Sequence, residues 1–372
     1  MGVLVRVLML ALTLMVATAG FASPTPVGFV DPVDTQAVSI DLTSPGLVWQ
    51  REQVMPGLPD YFRLHFDNIA VPNGADFDVV VSDRNGRPVY SVASEELAKS
   101  GSFWTGRIAG SYALIEVRSK AAVAANLKLR FAEIGVQGEG LNLLSVIDIN
   151  NQHDVFLTSV TQTPQLRSAA RSVVMLSYVR DHQMYTCTGF LVGRDLVLTN
   201  QHCFDSKQVC DSVDVMFDYL TNVDGEAKTA EDQRCTKVED SDPDLDFTLL
   251  RVTGFPGDRW GTLSFAQAPP TPHAHLVVIQ HPHGGPKRVA IIACRLGANS
   301  LPGRVPGKKP DFGHTCDTED GSSGSPVLDS QYHVVGLHHL GFAEGVVTNE
   351  VGRQNRALWG ALVKARVASA AQ

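Results

Sequence analysis

The chain has 372 residues, with 31 Lys and Arg against 39 Asp and Glu, for a formal net charge of −8. That balance argues against a nucleic-acid partner held through phosphate contacts. Hydrophobic residues make up 44% of the chain, enough for real cores, and the length suggests two domains rather than one.

Residues 1–22 read as a secretory signal peptide. Arg6 supplies a positive start, and Val7 to Ala17 is an apolar run short for a membrane span. Ala17-Thr18-Ala19 and Gly20-Phe21-Ala22 are small-residue cleavage candidates, and cleavage after Ala22 is expected. The expected location is secreted or periplasmic, with no membrane association after cleavage. An uncleaved anchor is the alternative.

Residues 23–140 alternate like an all-β domain. Tyr61 to Phe66, Phe77 to Val81, Tyr112 to Val117 and Leu127 to Phe131 are the clearest runs. Turn residues separate them, including Asn85-Gly86 before Pro88-Val89-Tyr90. The spacing predicts a β-sandwich acting as an accessory or pro-domain. Its aromatics are expected in the core. Residues 141–168 contain the polar stretches Asn150 to Asp154 and Thr161 to Gln165, and are expected to be a linker.

The second domain is expected over 169–372. Cys187 to Cys203 reads as two short apolar strands around a turn at Gly193-Arg194-Asp195, ending in His202-Cys203. An acidic loop is expected next, with Glu231, Asp232, Glu239, Asp240, Asp242 and Asp244. Calcium binding is conceivable there, but a solvated loop is the plainer reading. Asp246 leads into the apolar run Phe247 to Val252. His273, His275, His281 and His283 flank a core strand, and no metal is expected there. His281 to Arg288 looks like a hairpin turn. Asp317 to Pro326 holds Gly321-Ser322-Ser323-Gly324-Ser325-Pro326, which sets a hydroxyl between glycines. Glycine lets the backbone approach a substrate closely. That suits acyl transfer: Ser323 as nucleophile, with the N–H groups of Gly321 and Ser323 as an oxyanion hole. A surface Gly/Ser turn would share this composition. A serine needs a base held by a third group, and His202, Asp246 and Ser323 occur in one of the chain orders known for such triads. From Arg353 to Val367, apolar residues at helical spacing predict a closing helix.

These three stretches resemble the trypsin-like (chymotrypsin-fold) serine peptidases. The resemblance implies a chymotrypsin-like double β-barrel ending in a helix, with His202 as general base, Asp246 as its orienter and Ser323 as nucleophile. Six cysteines in an exported chain read as disulfides, and they allow 15 pairings. The family's histidine-loop disulfide matches Cys187 with Cys203. Pairing Cys294 with Cys316 would brace the serine loop, which leaves Cys210 with Cys235. Ser322 stands where trypsin-like zymogens carry the aspartate that receives a freed amine. That departure, with Val335 to Gly341, looks more like the glutamyl-endopeptidase branch. Thr318 and His338 would then hold a substrate carboxylate, with added charge if His338 is protonated, whereas Asp317 stands where trypsin-like enzymes bind Arg or Lys. Phe103-Trp104-Thr105-Gly106 before Gly110 resembles the sandwich of some bacterial lysyl-endopeptidase-like proteins. The expected function is a secreted serine endopeptidase on protein or peptide substrates, without a cofactor. The alternative is a catalytically silent binding protein on the same scaffold. The sequence leaves the oligomeric state open.

Overall fold

Every alternating run of the N-terminal half becomes a strand, and these strands form two facing sheets. The computed structural model describes residues 24–33, 35–55, 61–137, 144–145, 150, 152–154, 163–204, 207–221, 231–341 and 354–371. The signal-peptide segment and much of the expected linker lie outside them. One sheet orders Gly46–Val54, Tyr112–Ser119, Phe77–Ser82 and Pro88–Ala93. The other includes Pro26–Pro32, Asn126–Gln137, Tyr61–Ala70 and Phe103–Trp104. Phe62, Leu64 and Phe66 share one core with Phe77, Val79, Ile115 and Val117, because alternate residues of a strand point to the same face. Phe103 and Trp104 are buried. Gly86 takes a left-handed φ of 74° in the turn between two paired strands, where a side chain would be strained.

Part of the expected linker belongs to the second half. Leu144–Ser145 pairs with Thr318–Glu319, and Gln152–Asp154 pairs with Arg288–Ala290. The helix Pro164–Arg171 begins where the Thr163 hydroxyl accepts the Leu166 N–H, a side-chain cap on an orphan donor.

Six strands then close a barrel: Val173–Arg180, Asp214–Phe217, Glu231–Asp242, Phe247–Val252, Leu196–Thr199 and Gln183–Leu191, the last pairing back to the first. A seven-stranded sheet follows, ordered Gln152–Asp154, Arg288–Ala290, Val277–Gln280, Pro326–Leu328, Val334–Leu340, Asn355–Trp359 and Asp311–His314. Bridges from His275 to Arg295 and from Leu296 to His314 curl its ends toward each other. Leu196, Leu198, Phe247 and Leu249 of the barrel share a core with Val277, Ile279, Leu328 and Leu337 of the sheet. Disulfides join Cys187 to Cys203, Cys210 to Cys235 and Cys294 to Cys316.

Two expectations need correction. The acidic loop is largely the 12-residue strand Glu231–Asp242. Four of its acids meet cations from elsewhere: Glu231 meets Arg259, Glu239 meets Arg251, and Asp240 and Asp242 meet Arg366, while Asp244 beyond it faces Lys308. Opposite charges on neighbouring segments make an acidic strand tolerable. The closing helix is only Lys364–Ala370, and Asn355–Trp359 before it is a strand between Asp311–His314 and Val334–Leu340. A short apolar run fits either period, and pairing on both sides decides for the strand.

Pro26–Pro32 pairs with Asn126–Gln137 on one side and Gln183–Leu191 on the other, so one sheet runs from the sandwich into the barrel. Arg63 of the sandwich is 1% exposed and donates to the carbonyls of Thr105, Ser177 and Ser212 at 2.8, 3.3 and 2.9 Å. Burial pushes the carboxyl of Asp214 up, and the nearby Arg63 and Arg107 charges oppose that push. Arg63→Leu leaves this acid short of a partner. A loss of about 3–5 kcal/mol is expected, read as a shift in the urea unfolding curve; a loss below about 1 kcal/mol would mean that the junction does not depend on this charge.

Candidate active site

His202 follows the strand Leu196–Thr199, one residue before the Cys187–Cys203 disulfide. Its Nδ1 lies 2.9 Å from Asp246 Oδ2, and its backbone N–H donates to Asp246 Oδ1 at 3.0 Å. Asn200 Nδ2 donates to the Asp246 carbonyl at 2.9 Å. Asp246 is 2% exposed and enters its strand with a left-handed φ of 58°, a conformation Asp tolerates better than most residues. Two further donors reach the carboxylate: Arg304 Nη1 at 2.9 Å from Oδ1 and His339 Nδ1 at 3.1 Å from Oδ2. Burial works to raise the Asp246 carboxyl. The charges and hydrogen bonds of His202 and His339 outweigh it and hold the group well below the usual carboxylate range.

The serine loop is clamped to the barrel through Thr188. The Thr188 N–H donates to the Ser323 carbonyl at 2.8 Å, and its hydroxyl donates to the Gly321 carbonyl at 2.9 Å. The same hydroxyl accepts the His281 N–H at 3.0 Å, and the Thr188 carbonyl accepts the Thr199 hydroxyl at 2.8 Å. Gly321 and Gly324 both have φ of 87°. A Cβ on Gly324 would lie 2.0 Å from the Thr188 carbonyl oxygen, so this approach requires glycine. Gly324 N–H donates to the His338 carbonyl and His338 N–H to the Ser325 carbonyl, both at 2.9 Å. Ser322 is tied within its own loop, its hydroxyl accepting the Glu319 N–H at 3.1 Å. Barrel and sheet thus bring the Ser323 loop against Thr188 and Thr199, three residues before His202.

Asp317, Thr318 and His338 are all buried. The Asp317 carbonyl accepts Gln280 Nε2 at 2.8 Å. The Thr318 hydroxyl and His314 Nδ1 are buried polar atoms without a hydrogen-bond partner among the described residues. His338 Nδ1 faces His314 Nε2 at 3.1 Å. Burial first, then the His314 and His339 neighbours, push His338 well below its ordinary value. Burial thus works against the charge that a protonated His338 would add. The four-histidine group disperses, with His275 on the Ile291 carbonyl, His281 on the Gly285 carbonyl and His283 on Glu319.

The sequence reading missed Arg304, His339 and Asp311, whose Oδ2 meets His339 Nε2 at 2.9 Å. The adjacent pair His338-His339 was visible. On a strand the two point to opposite faces, so only one of them could belong to the pocket.

Residues 187–337 match the family model of the trypsin-like peptidase domain. This segment is a trypsin-like peptidase domain. Over 209 residues the chain is 25% identical to the secreted RxLR effector protein 73 of Plasmopara viticola, covering 53% of this chain and 52% of that protein. Over 181 residues it is 29% identical to the uncharacterized protein y4fB of Sinorhizobium fredii, covering 41% and 25%. The chain thus spans about half or less of the length of these curated relatives. Among solved structures, the Rv3671c protease of M. tuberculosis in its active form matches with a TM-score of 0.43 and 24% identity, over 56% of this chain and 85% of that one. A Glu endopeptidase in complex with MPD matches with a TM-score of 0.43 and 18% identity, over 61% and 100%.

Thr188→Val keeps the shape of the peptidase domain's clamp and removes its hydroxyl. The Gly321 carbonyl and the His281 N–H lose their partner, so a loss of about 1–3 kcal/mol is expected. Thermal melting of the variant beside the parent measures it, and unchanged melting would show that the hydroxyl does not hold the serine loop.

Proposed function

We propose that the chain is a secreted or periplasmic serine endopeptidase that works through His202, Asp246 and Ser323. The contact between His202 Nδ1 and the buried Asp246 carboxylate is the observation that carries this reading. It fixes the tautomer, leaving Nε2 free of a proton and able to take one from the Ser323 hydroxyl. Ser323 Oγ then attacks the scissile carbonyl. The N–H groups of Gly321 and Ser323 receive the oxyanion, and His202 returns the proton to the leaving amine. Water hydrolyses the acyl-enzyme by the same route reversed. Three disulfides fit an oxidising compartment. Among the described residues no helix is long and apolar enough to cross a membrane. We assign residues 23–140 the role of an accessory or pro-domain.

The same pocket supports cleavage after acidic residues. When His314 Nε2 donates to His338 Nδ1, the His338 proton sits on Nε2, where it is a donor. The unpartnered Thr318 hydroxyl adds a second donor for a carboxylate, and a buried donor without a partner is the kind a ligand satisfies.

Ser323→Ala should lower kcat on casein by at least about 10⁴-fold and abolish labelling by a fluorophosphonate. Casein cleavage at the parent rate by the variant refutes the assignment, and a parent that never labels favours the silent binding protein. Digestion of a peptide library tests the pocket. New C-termini should be mainly Glu or Asp, and this preference should vanish in His338→Ala. A dominance of Lys or Arg would place Asp317 in the pocket instead.

A further inference from the structure

His339 lies between two buried carboxylates, with Nδ1 3.1 Å from Asp246 Oδ2 and Nε2 2.9 Å from Asp311 Oδ2. An ionised carboxylate only accepts hydrogen bonds, and a neutral imidazole carries a single N–H. In the neutral ring one of the two contacts would set a bare nitrogen lone pair against a carboxylate oxygen. Both contacts are hydrogen bonds only when both nitrogens carry protons. We propose, resting on the serine-peptidase reading above, that His339 is a positioning residue that bridges Asp246 and Asp311 as a doubly protonated imidazolium and so holds the triad carboxylate in line with His202.

The surroundings fit a cation. His339 is 4% exposed, Asp246 2% and Asp311 0%, and buried charges persist only when paired. Two carboxylates face one guanidinium, Arg304 on Asp246. An imidazolium at His339 balances the group, whereas a neutral ring leaves a buried negative charge. The other titratable groups facing it are His338 on its own strand, His314 on the Asp311 strand, and His202 across Asp246. Burial opposes protonation of His339, and the hydrogen bonds to Asp246 and Asp311 overcome it, raising the group to about 9.

The bridge acts on the reaction through Asp246. Oδ2 receives both His202 Nδ1 and His339 Nδ1. A carboxylate pinned from behind cannot rotate away from the base, and the positive charge behind it tempers its field. Because the two carboxylates raise His339 above the ordinary histidine value, the bridge stabilises the fold in full below that ordinary value. The contribution fades as pH rises through about 9.

Histidine ring nitrogens of the ¹⁵N-labelled full chain read this state directly. At pH 7.5 one imidazole should show two protonated nitrogens, titrate at about 9 and be missing from His339→Gln. A neutral tautomer assigned to His339 at pH 7.5 overturns the proposal. In kinetics, His339→Gln should lower kcat at least about tenfold with KM little changed. In the parent, loss of the bridge should lower kcat as pH rises through about 9, and this decline should be absent from His339→Gln. Asp311→Asn keeps the imidazole and should return it to a neutral tautomer at pH 7.5 with a similar loss of kcat, so the test survives if His339→Gln fails to fold. Parent values of kcat and pH profile in a folded variant overturn the proposal. Fluorophosphonate labelling of the parent separates the two readings: an imidazolium in a chain that does not label leaves the bridge and removes the serine chemistry.

Discussion

A carboxylate taken out of water must find its donors in the chain, and Asp246 is where this constraint governs the molecule. Its oxygens are reached from the His202 loop, from Arg304 and from His339. These segments are far apart in sequence and belong to both the closed barrel and the curled sheet. Charge-assisted hydrogen bonds are strong when formed, and a buried charge is expensive when they are missing. Closure of the two halves and completion of the site are therefore one event. The shared core of Leu196, Phe247, Ile279 and Leu337 supplies the apolar contact that brings these donors together.

Thr188 plays the corresponding part for the serine loop. It uses its N–H, its hydroxyl and its carbonyl at once. Cys187 beside it bridges to Cys203, the neighbour of His202. Base and nucleophile loop are thus referenced to adjacent residues of one strand. That strand pairs with Val173–Arg180 almost along its whole length and with further strands at both of its ends, which makes it a rigid ruler.

What the sequence disclosed follows from how local each feature is. The serine between glycines, the His-Cys pair and the acid before an apolar run are short-range patterns, because acyl transfer demands those residue types in those immediate contexts. The sandwich strands were legible because alternation is also local. Arg304 and Asp311 had no such mark: each matters only through a partner dozens of residues away. His339 stood beside a recognised neighbour, yet its role depends on which face of the strand meets Asp246. The strand Glu231–Asp242 looks like a loop in sequence because its charges are unfavourable until Arg251 and Arg366 are set against them. The strand Asn355–Trp359 looks helical in sequence because five residues cannot separate one period from the other.

The first strand of the fold has a consequence for how the chain is made. Pro26–Pro32 fills the slot between Asn126–Gln137 and Gln183–Leu191, pairing Phe29 with Val136 and Gly28 with Met184. Both partners leave the ribosome more than a hundred residues after it. Contacts of such separation form late and slowly. A polypeptide growing from its N-terminus therefore carries this strand unpaired until Asn126–Gln137 is made, and with one edge open until Gln183–Leu191 follows, and an unpaired strand is an invitation to a neighbouring nascent chain. A chain wired in this way gains from being kept unfolded until about half of it is available. Only the strand Gln183–Leu191 of the second half closes the edge that the sandwich leaves open.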